Sequence, residues 1–182
     1  MVAAVGDEPE WSSGLAGPPV AWLVMELPAA SARVIDAARA LGLEIDVRLF
    51  PDGTKTSEDA AAAAGCPLAA ITKSLVFLVD DEPVLALLSG DERLDPRKLA
   101  AVAGGAKSTR ADLDTVRQVT GFVAGGTPPF GHSNRLRTFA DHGLRRIEQR
   151  WVAGGTPTTI FELPLDRLIE ASGAVWADLS AR

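Results

Sequence analysis

From residue 29 onward the chain alternates between two rhythms of apolar and polar positions. Residues 29–41 place Val34, Ala37, Ala38 and Leu41 at helical spacing, and Gly42 is suited to end that helix. Residues 44–49 alternate polar and apolar, the mark of a half-buried strand. Ser57 is expected to cap an Ala-rich helix through Ala64, with Glu58 and Asp59 in its first turn and Gly65 as its stop. Two apolar runs follow, residues 74–79 and 84–88. Asp80-Asp81-Glu82-Pro83 separates them, which predicts a hairpin of buried strands. Asp95-Pro96 opens a helix to Ala103, and Asp112 opens another to Val119. Residues 136–140, 150–153 and 158–163 read as strands, 164–172 as a capped helix and 174–179 as a last strand. Helices and strands interleave with at least one hairpin, so the expected class is α/β (α+β), a mixed sheet surrounded by helices. Residues 1–20 are rich in Gly, Pro, Ser and acids. They predict a flexible tail ahead of one domain over residues 21–182, with Trp11 and Trp22 as the large residues able to pin it down.

Composition narrows the class. A length of 182 residues suits one domain with a real core. The single Cys66 excludes a disulfide framework and fits a reducing compartment. The apolar runs are too short for a membrane span, and Asp7, Glu8 and Glu10 stand where a secretory signal would be basic, so a cytoplasmic location is expected. The net charge is −6, and ten acids against four basic residues in positions 1–60 account for it. Arg135, Arg137, Arg145, Arg146 and Arg150 form a later basic cluster, which reads either as a solvated helix face or as a contact for a phosphate backbone.

Several motifs fail. Gly104-Gly105-Ala106-Lys107-Ser108 lacks the Gly-Lys pair of a phosphate loop. There is no G-x-S-x-G elbow and no H-E-x-x-H. His132 and His142 are ten residues apart, and Ser133 is too close in sequence to His132 for a triad with Asp141. Three features remain. Lys73 stands at the entry to a very apolar strand, where its stem can be buried while its amine serves a phosphate or a developing oxyanion, or simply reaches water. Gly125-Gly126-Thr127-Pro128-Pro129-Phe130-Gly131-His132 offers backbone donors on a proline-stiffened loop, or an ordinary tight connection. Gly154-Gly155-Thr156-Pro157 repeats the same tetrapeptide, which suggests two similar turns flanking one site or a chance recurrence in a Gly-rich chain.

The Lys73 strand with Ser74-Leu75-Val76-Phe77, the stretch from Ser89 to Asp95 leading into the Lys98 helix, Thr120-Gly121-Phe122 before the first Gly-Gly turn, and the closing segments around Gly154, Pro164 and Trp176 occur in a familiar order. Over residues 43–179 the chain resembles the YbaK-like family of aminoacyl-tRNA deacylases, related to the editing domain inserted in bacterial prolyl-tRNA synthetases. The resemblance implies a partly barrel-like mixed sheet. It also implies a free-standing editing enzyme that hydrolyses the ester of a mischarged small amino acid on tRNA, tRNA-Pro first among the candidates, without a cofactor. Aminoacyl-tRNA through its acceptor end would be the partner, with prolyl-tRNA synthetase a second candidate and neither DNA nor membrane involved. By the same analogy Lys73 and Gly125 are the catalytic positions. Phe50, Ser89, Gly126, Thr127, Pro129, His132, Gly154 and Gly155 would contact substrate, and no metal is called for. The chain departs from some members at Ala153 and Ile160, where they are polar or acidic, and at Phe50, where they carry an aromatic hydroxyl. These departures bear on the identity of the amino acid. Two other readings compete: a non-catalytic tRNA- or synthetase-binding homologue, and a hydrolase of another ester using His132 or a metal.

Overall fold

The structure is a computed structural model and describes residues 26–181. The expected tail, with Trp11 and Trp22, lies outside the described residues. Among the described residues five helices surround two sheets: α1 (Ala29–Ala40), α2 (Ser57–Ala64), α3 (Pro96–Ala103), α4 (Leu113–Thr120) and α5 (Leu165–Ser172). The larger sheet is built from β2 (Thr72–Val79), β3 (Glu82–Ser89), β4 (Ser108–Arg110), β5 (Arg137–Asp141) and β8 (Val175–Ala177), in the order β4-β2-β3-β5-β8. β2 pairs antiparallel with β3 and β4, whereas β3–β5 and β5–β8 are parallel. The smaller sheet, β1 (Arg48–Leu49), β7 (Thr159–Pro164) and β6 (Gln149–Ala153), is antiparallel in the order β1-β7-β6. One parallel bridge, Ile71 to Trp151, joins the two sheets. The architecture is the expected mixed one, and it stays open: β4 and β8 remain edges, so no barrel closes.

β3 explains why its sequence shows no alternation. Val84 to Leu88 are all fully buried because both faces of the larger sheet are covered. Leu85 and Leu87 enter a cluster with Val34 and Ala38 of α1, Val116 of α4 and Leu168 of α5. Val84, Ala86 and Leu88 face the other way, onto Leu99 and Ala103 of α3, Phe139 and Leu179. A third, smaller cluster packs Ala60 and Ala61 of α2 against Ile71, Trp151 and Ile160, with Phe50 at its margin. No helix among the described residues is long and apolar enough to cross a membrane.

Local chemistry sets the boundaries. Asp95 and Asp112 cap α3 and α4 as expected, their carboxylates accepting from Arg97 N at 2.8 Å and Thr115 N at 2.7 Å. α2 is capped one residue earlier than expected. The Thr56 hydroxyl accepts from Asp59 N at 3.1 Å, and the Asp59 carboxylate reaches back to Thr56 N at 3.2 Å, a reciprocal box that Ser57 cannot make. α5 has no side-chain cap at Pro164, contrary to expectation, and ends on Gly173. The hairpin turn is tighter than the four-residue separation suggested. Val79 pairs with Glu82, and Asp80 and Asp81 take φ values of 46° and 71°, as a type I′ turn requires. The expected strand over 44–49 shrinks to Arg48–Leu49, the pair that meets Ile160 and Thr159 of β7. Asp141, at the end of β5, is buried. Its Oδ1 accepts from Gly143 N at 2.7 Å, and its Oδ2 accepts from Leu179 N at 2.7 Å and Ser180 N at 3.0 Å.

Candidate functional site

A cavity of about 340 Å³ opens between the two sheets. The segment before α2, the first half of β2, the end of β4, the start of α4, Ala124, Gly125 and Thr127, and β6 wall it. Its apolar wall includes Ile71, Trp151 and Ile160, where the sheets meet, with small residues at Ala60, Ala124 and Ala153. Among the described residues its charged lining is entirely positive: Lys55, Lys73 and Arg110, without a carboxylate. In a chain of net charge −6 that asymmetry marks a place for an anionic group.

Lys73 sits on β2 opposite Leu88 of β3, with its stem half-buried. Its ammonium donates to the carbonyl oxygens of Gly90, at 3.2 Å, and Glu92. Burial pulls its pKa below the ordinary lysine value, opposed by the carboxylates of Asp91 and Glu58. The Gly90 carbonyl can approach because residue 90 has no side chain: a Cβ there would run into the Leu68 carbonyl.

Gly125, with φ +83°, faces Lys55 across the cavity wall; a Cβ on it would lie 3.5 Å from the Lys55 carbonyl oxygen. Gly126 turns away and meets the second Gly-Gly turn. Gly155 N donates to the Gly126 carbonyl at 3.0 Å, and a Cβ on Gly126 would come within 2.6 Å of Thr156 backbone atoms. The two copies of Gly-Gly-Thr-Pro are therefore packed on one another. Gly155, at φ +106°, in turn lies against the start of α1, where a Cβ would be 2.8 Å from the Ala30 carbonyl carbon. Gly154 N donates to Thr159 O at 2.7 Å.

Of the residues singled out in the sequence, Lys73, Gly125 and Thr127 line the cavity, while Gly126, Gly154 and Gly155 lie behind it and fix the turns. Phe50 packs on the cluster under Ile71 and Trp151. Ser89, the last residue of β3, is fully buried, its hydroxyl donating to Ala69 O at 2.7 Å. Pro129 and His132 line a different, larger depression of about 840 Å³. There His132 Nε2 bonds the Pro128 carbonyl at 2.8 Å, and burial lowers the ring's pKa. The basic cluster at 135–150 is not a helix face. Arg137 is on β5, Arg145 and Arg146 are in the short 3₁₀ turn His142–Arg146, and Arg150 of β6 is fully buried, with Nε on Thr72 Oγ1 at 3.0 Å and Nη2 on Ile71 O at 2.8 Å. Lys55, Arg110 and Trp151 went unnoticed in the sequence. The first two lie 55 positions apart, Lys55 in the connection before α2 and Arg110 at the end of the short polar strand β4, and only the fold brings them to one cavity.

The family model described as an aminoacyl-tRNA editing domain matches residues 51–171. The uncharacterized protein YwhH of Bacillus subtilis is 32% identical over 138 residues, covering 75% of this chain and 87% of that protein. A proline–tRNA ligase of Nitratidesulfovibrio vulgaris is 33% identical over 129 residues, 70% of this chain, but the match spans only 22% of the ligase. A crystal structure proposed to be a trans-editing enzyme for prolyl tRNA synthetase superposes with a TM-score of 0.82 at 36% identity, covering 86% of this chain and all of the other. The matched stretch takes in most of the cavity wall, from Thr54 to Ile160. The chain belongs to the aminoacyl-tRNA editing domain family, as a YbaK-like homologue of the editing region of prolyl-tRNA synthetases.

Proposed function

We propose that this chain is a free-standing deacylase that hydrolyses the ester between a mischarged small amino acid and the 3′ end of a tRNA, tRNA-Pro being the first candidate. The observation that carries this reading is the cavity, acid-free among the described residues, with Lys73 on one wall and the Gly125 loop on another. The 3′ end of a tRNA brings phosphates and an ester carbonyl into such a space. Lys55, Lys73 and Arg110 supply positive charge for the phosphates. A water attacks the ester carbon, and the carbonyl oxygen gains negative charge as the new C–O bond forms. The ammonium of Lys73 and backbone N–H groups of the Gly125 loop stabilise that oxyanion. The old C–O bond then breaks, and the proton lost by the water ends on the ribose oxygen. No side-chain nucleophile is needed. Ala60, Ala124 and Ala153 leave room for a small amino-acid side chain. Pocket fit alone separates side chains that differ by one methylene by only about 1–3 kcal/mol, which is the reason a separate hydrolytic step is useful.

A binding-only homologue has one observation in its favour: the Lys73 ammonium is engaged by the carbonyls of Gly90 and Glu92 rather than free. One experiment separates the two readings. Ala-, Cys-, Ser- and Pro-tRNA-Pro are incubated with wild type and with Lys73→Ala. The enzyme reading expects loss of one misacylated species and a roughly 10²- to 10³-fold slower rate in the variant, the cost of removing one oxyanion-stabilising group. No turnover of any species, with or without added prolyl-tRNA synthetase, overturns it and leaves the binding module.

A further inference from the structure

Lys73 does not hold its position alone. Its two carbonyl acceptors belong to the loop that follows β3, and that loop carries two carboxylates, Asp91, whose charge acts on the ammonium, and Glu92. Arg146 engages both. Its guanidinium grips Asp91 through both nitrogens, Nη1 to Oδ2 at 3.0 Å and Nη2 to Oδ1 at 2.7 Å, and reaches Glu92 Oε1 at 3.2 Å. Its Nε donates to Gly143 O at 3.0 Å, and a Cβ at Gly143 would run into the Glu92 carboxylate, so turn and loop interlock. The grip holds the Asp91 carboxyl at a pKa of about 2.

We propose that Arg146 is a positioning residue for Lys73: by clamping Asp91 and Glu92 it fixes the carbonyls that receive the ammonium and keeps both carboxylates from capturing it. The inference rests on the reading of Lys73 as the working cation of the cavity. The groups acting on Lys73 come from every side. Glu58 of α2 and Asp91 favour the ammonium, Arg93 and Arg110 of β4 oppose it, and burial opposes it most. Within that balance Arg146 governs how much of the Asp91 charge Lys73 feels.

The test reads Lys73 directly. The chain has four lysines, Lys55, Lys73, Lys98 and Lys107, so lysine labelled with ¹³C at Cε gives few signals, and Lys73→Arg assigns the one of interest. Lys73 is expected to titrate below the ordinary lysine value. Arg146→Met should move its midpoint upward and slow deacylation by roughly ten- to a hundredfold. Adding Asp91→Asn in the same chain should move the midpoint back and restore part of the rate. Asp91→Asn alone, nearly isosteric and safe for folding, should lower the midpoint further. An unmoved midpoint in Arg146→Met, or a lost rate that Asp91→Asn does not rescue, overturns the proposal, the second outcome leaving Arg146 as a structural clasp only. If wild type deacylates nothing, the functional reading fails while the titration still decides this one.

Discussion

The contact between the two Gly-Gly-Thr-Pro turns can be tested by adding one methyl group. In Gly126→Ala the new Cβ would lie 2.6 Å from both Cα and C of Thr156 and 2.8 Å from its N. Carbon atoms in comfortable contact are about 3.5–4.0 Å apart, so three backbone atoms must retreat by about 0.9 Å together. Gly126 has no positive φ, so backbone strain adds nothing and the clash stands alone. Overpacking of this kind costs about 1–3 kcal/mol. Separation of the turns also threatens the 3.0 Å bond from Gly155 N to Gly126 O, worth about 1 kcal/mol. The expected loss is therefore about 2–4 kcal/mol, read as a shifted midpoint in urea at constant slope, or as a Tm lower by about 5–15 °C for a domain of this size. Gly42→Ala is the matched control. It has nothing within 4 Å of its Cβ but a φ of +71°, so it should cost only about 1–2 kcal/mol, from backbone strain. Because Gly125 precedes the displaced residue, Gly126→Ala should also slow deacylation more than Gly42→Ala does. Equal or greater stability of Gly126→Ala relative to Gly42→Ala would refute the stacked-turn geometry.

Two further outcomes follow from the local chemistry. Asp81→Gly should raise stability by about 0.5–1 kcal/mol because φ of 71° suits glycine, whereas Asp80→Ala should lower it by about 1–2 kcal/mol, since both Asp80 carboxylate oxygens accept backbone bonds, from Ala106 N at 2.8 Å and Lys107 N at 3.0 Å; urea titrations measure both. Burial keeps the His132 ring neutral in the fold, so the unfolded chain takes up a proton first as pH falls below the ordinary 6.5. Native stability should decline from that point downward, and His132→Gln should flatten the decline in stability curves taken between neutral and mildly acid pH.

What the sequence revealed, and what it hid, divides along physical lines. Helix starts at Asp95 and Asp112 were legible because a cap is a local bond within a few residues. The β2–β3 hairpin was legible because two apolar runs flank a short acidic turn. β4 was missed: Ser108–Arg110 is short and polar, and it is a strand only because β2 offers it an edge. Residues 44–47 looked like strand since Ile45 and Val47 do point to the core, but the pairing with β7 takes in only Arg48 and Leu49, although β7 runs on to Pro164. The cavity was half visible. Lys73 and the Gly125 loop stand out by type and position, whereas Lys55, Arg110 and Trp151 are ordinary residues until three separate segments converge. The recurrence of Gly-Gly-Thr-Pro hinted at paired turns; that they touch each other is a tertiary fact.

The buried Asp141 carries a consequence for how the protein is made. Its carboxylate is satisfied in part by the amides of Leu179 and Ser180, nearly forty positions downstream. Until residues 179 and 180 have been synthesised and have docked, those amides are not there for it, and the carboxylate must stay in water. The parallel edge beside β5 then also waits, because β8 follows every other described strand along the chain. A variant cut off before Val175 would have to bury a carboxylate short of two donors or leave the sheet unfinished. Folding of the domain can therefore close only after its last described strand has left the ribosome.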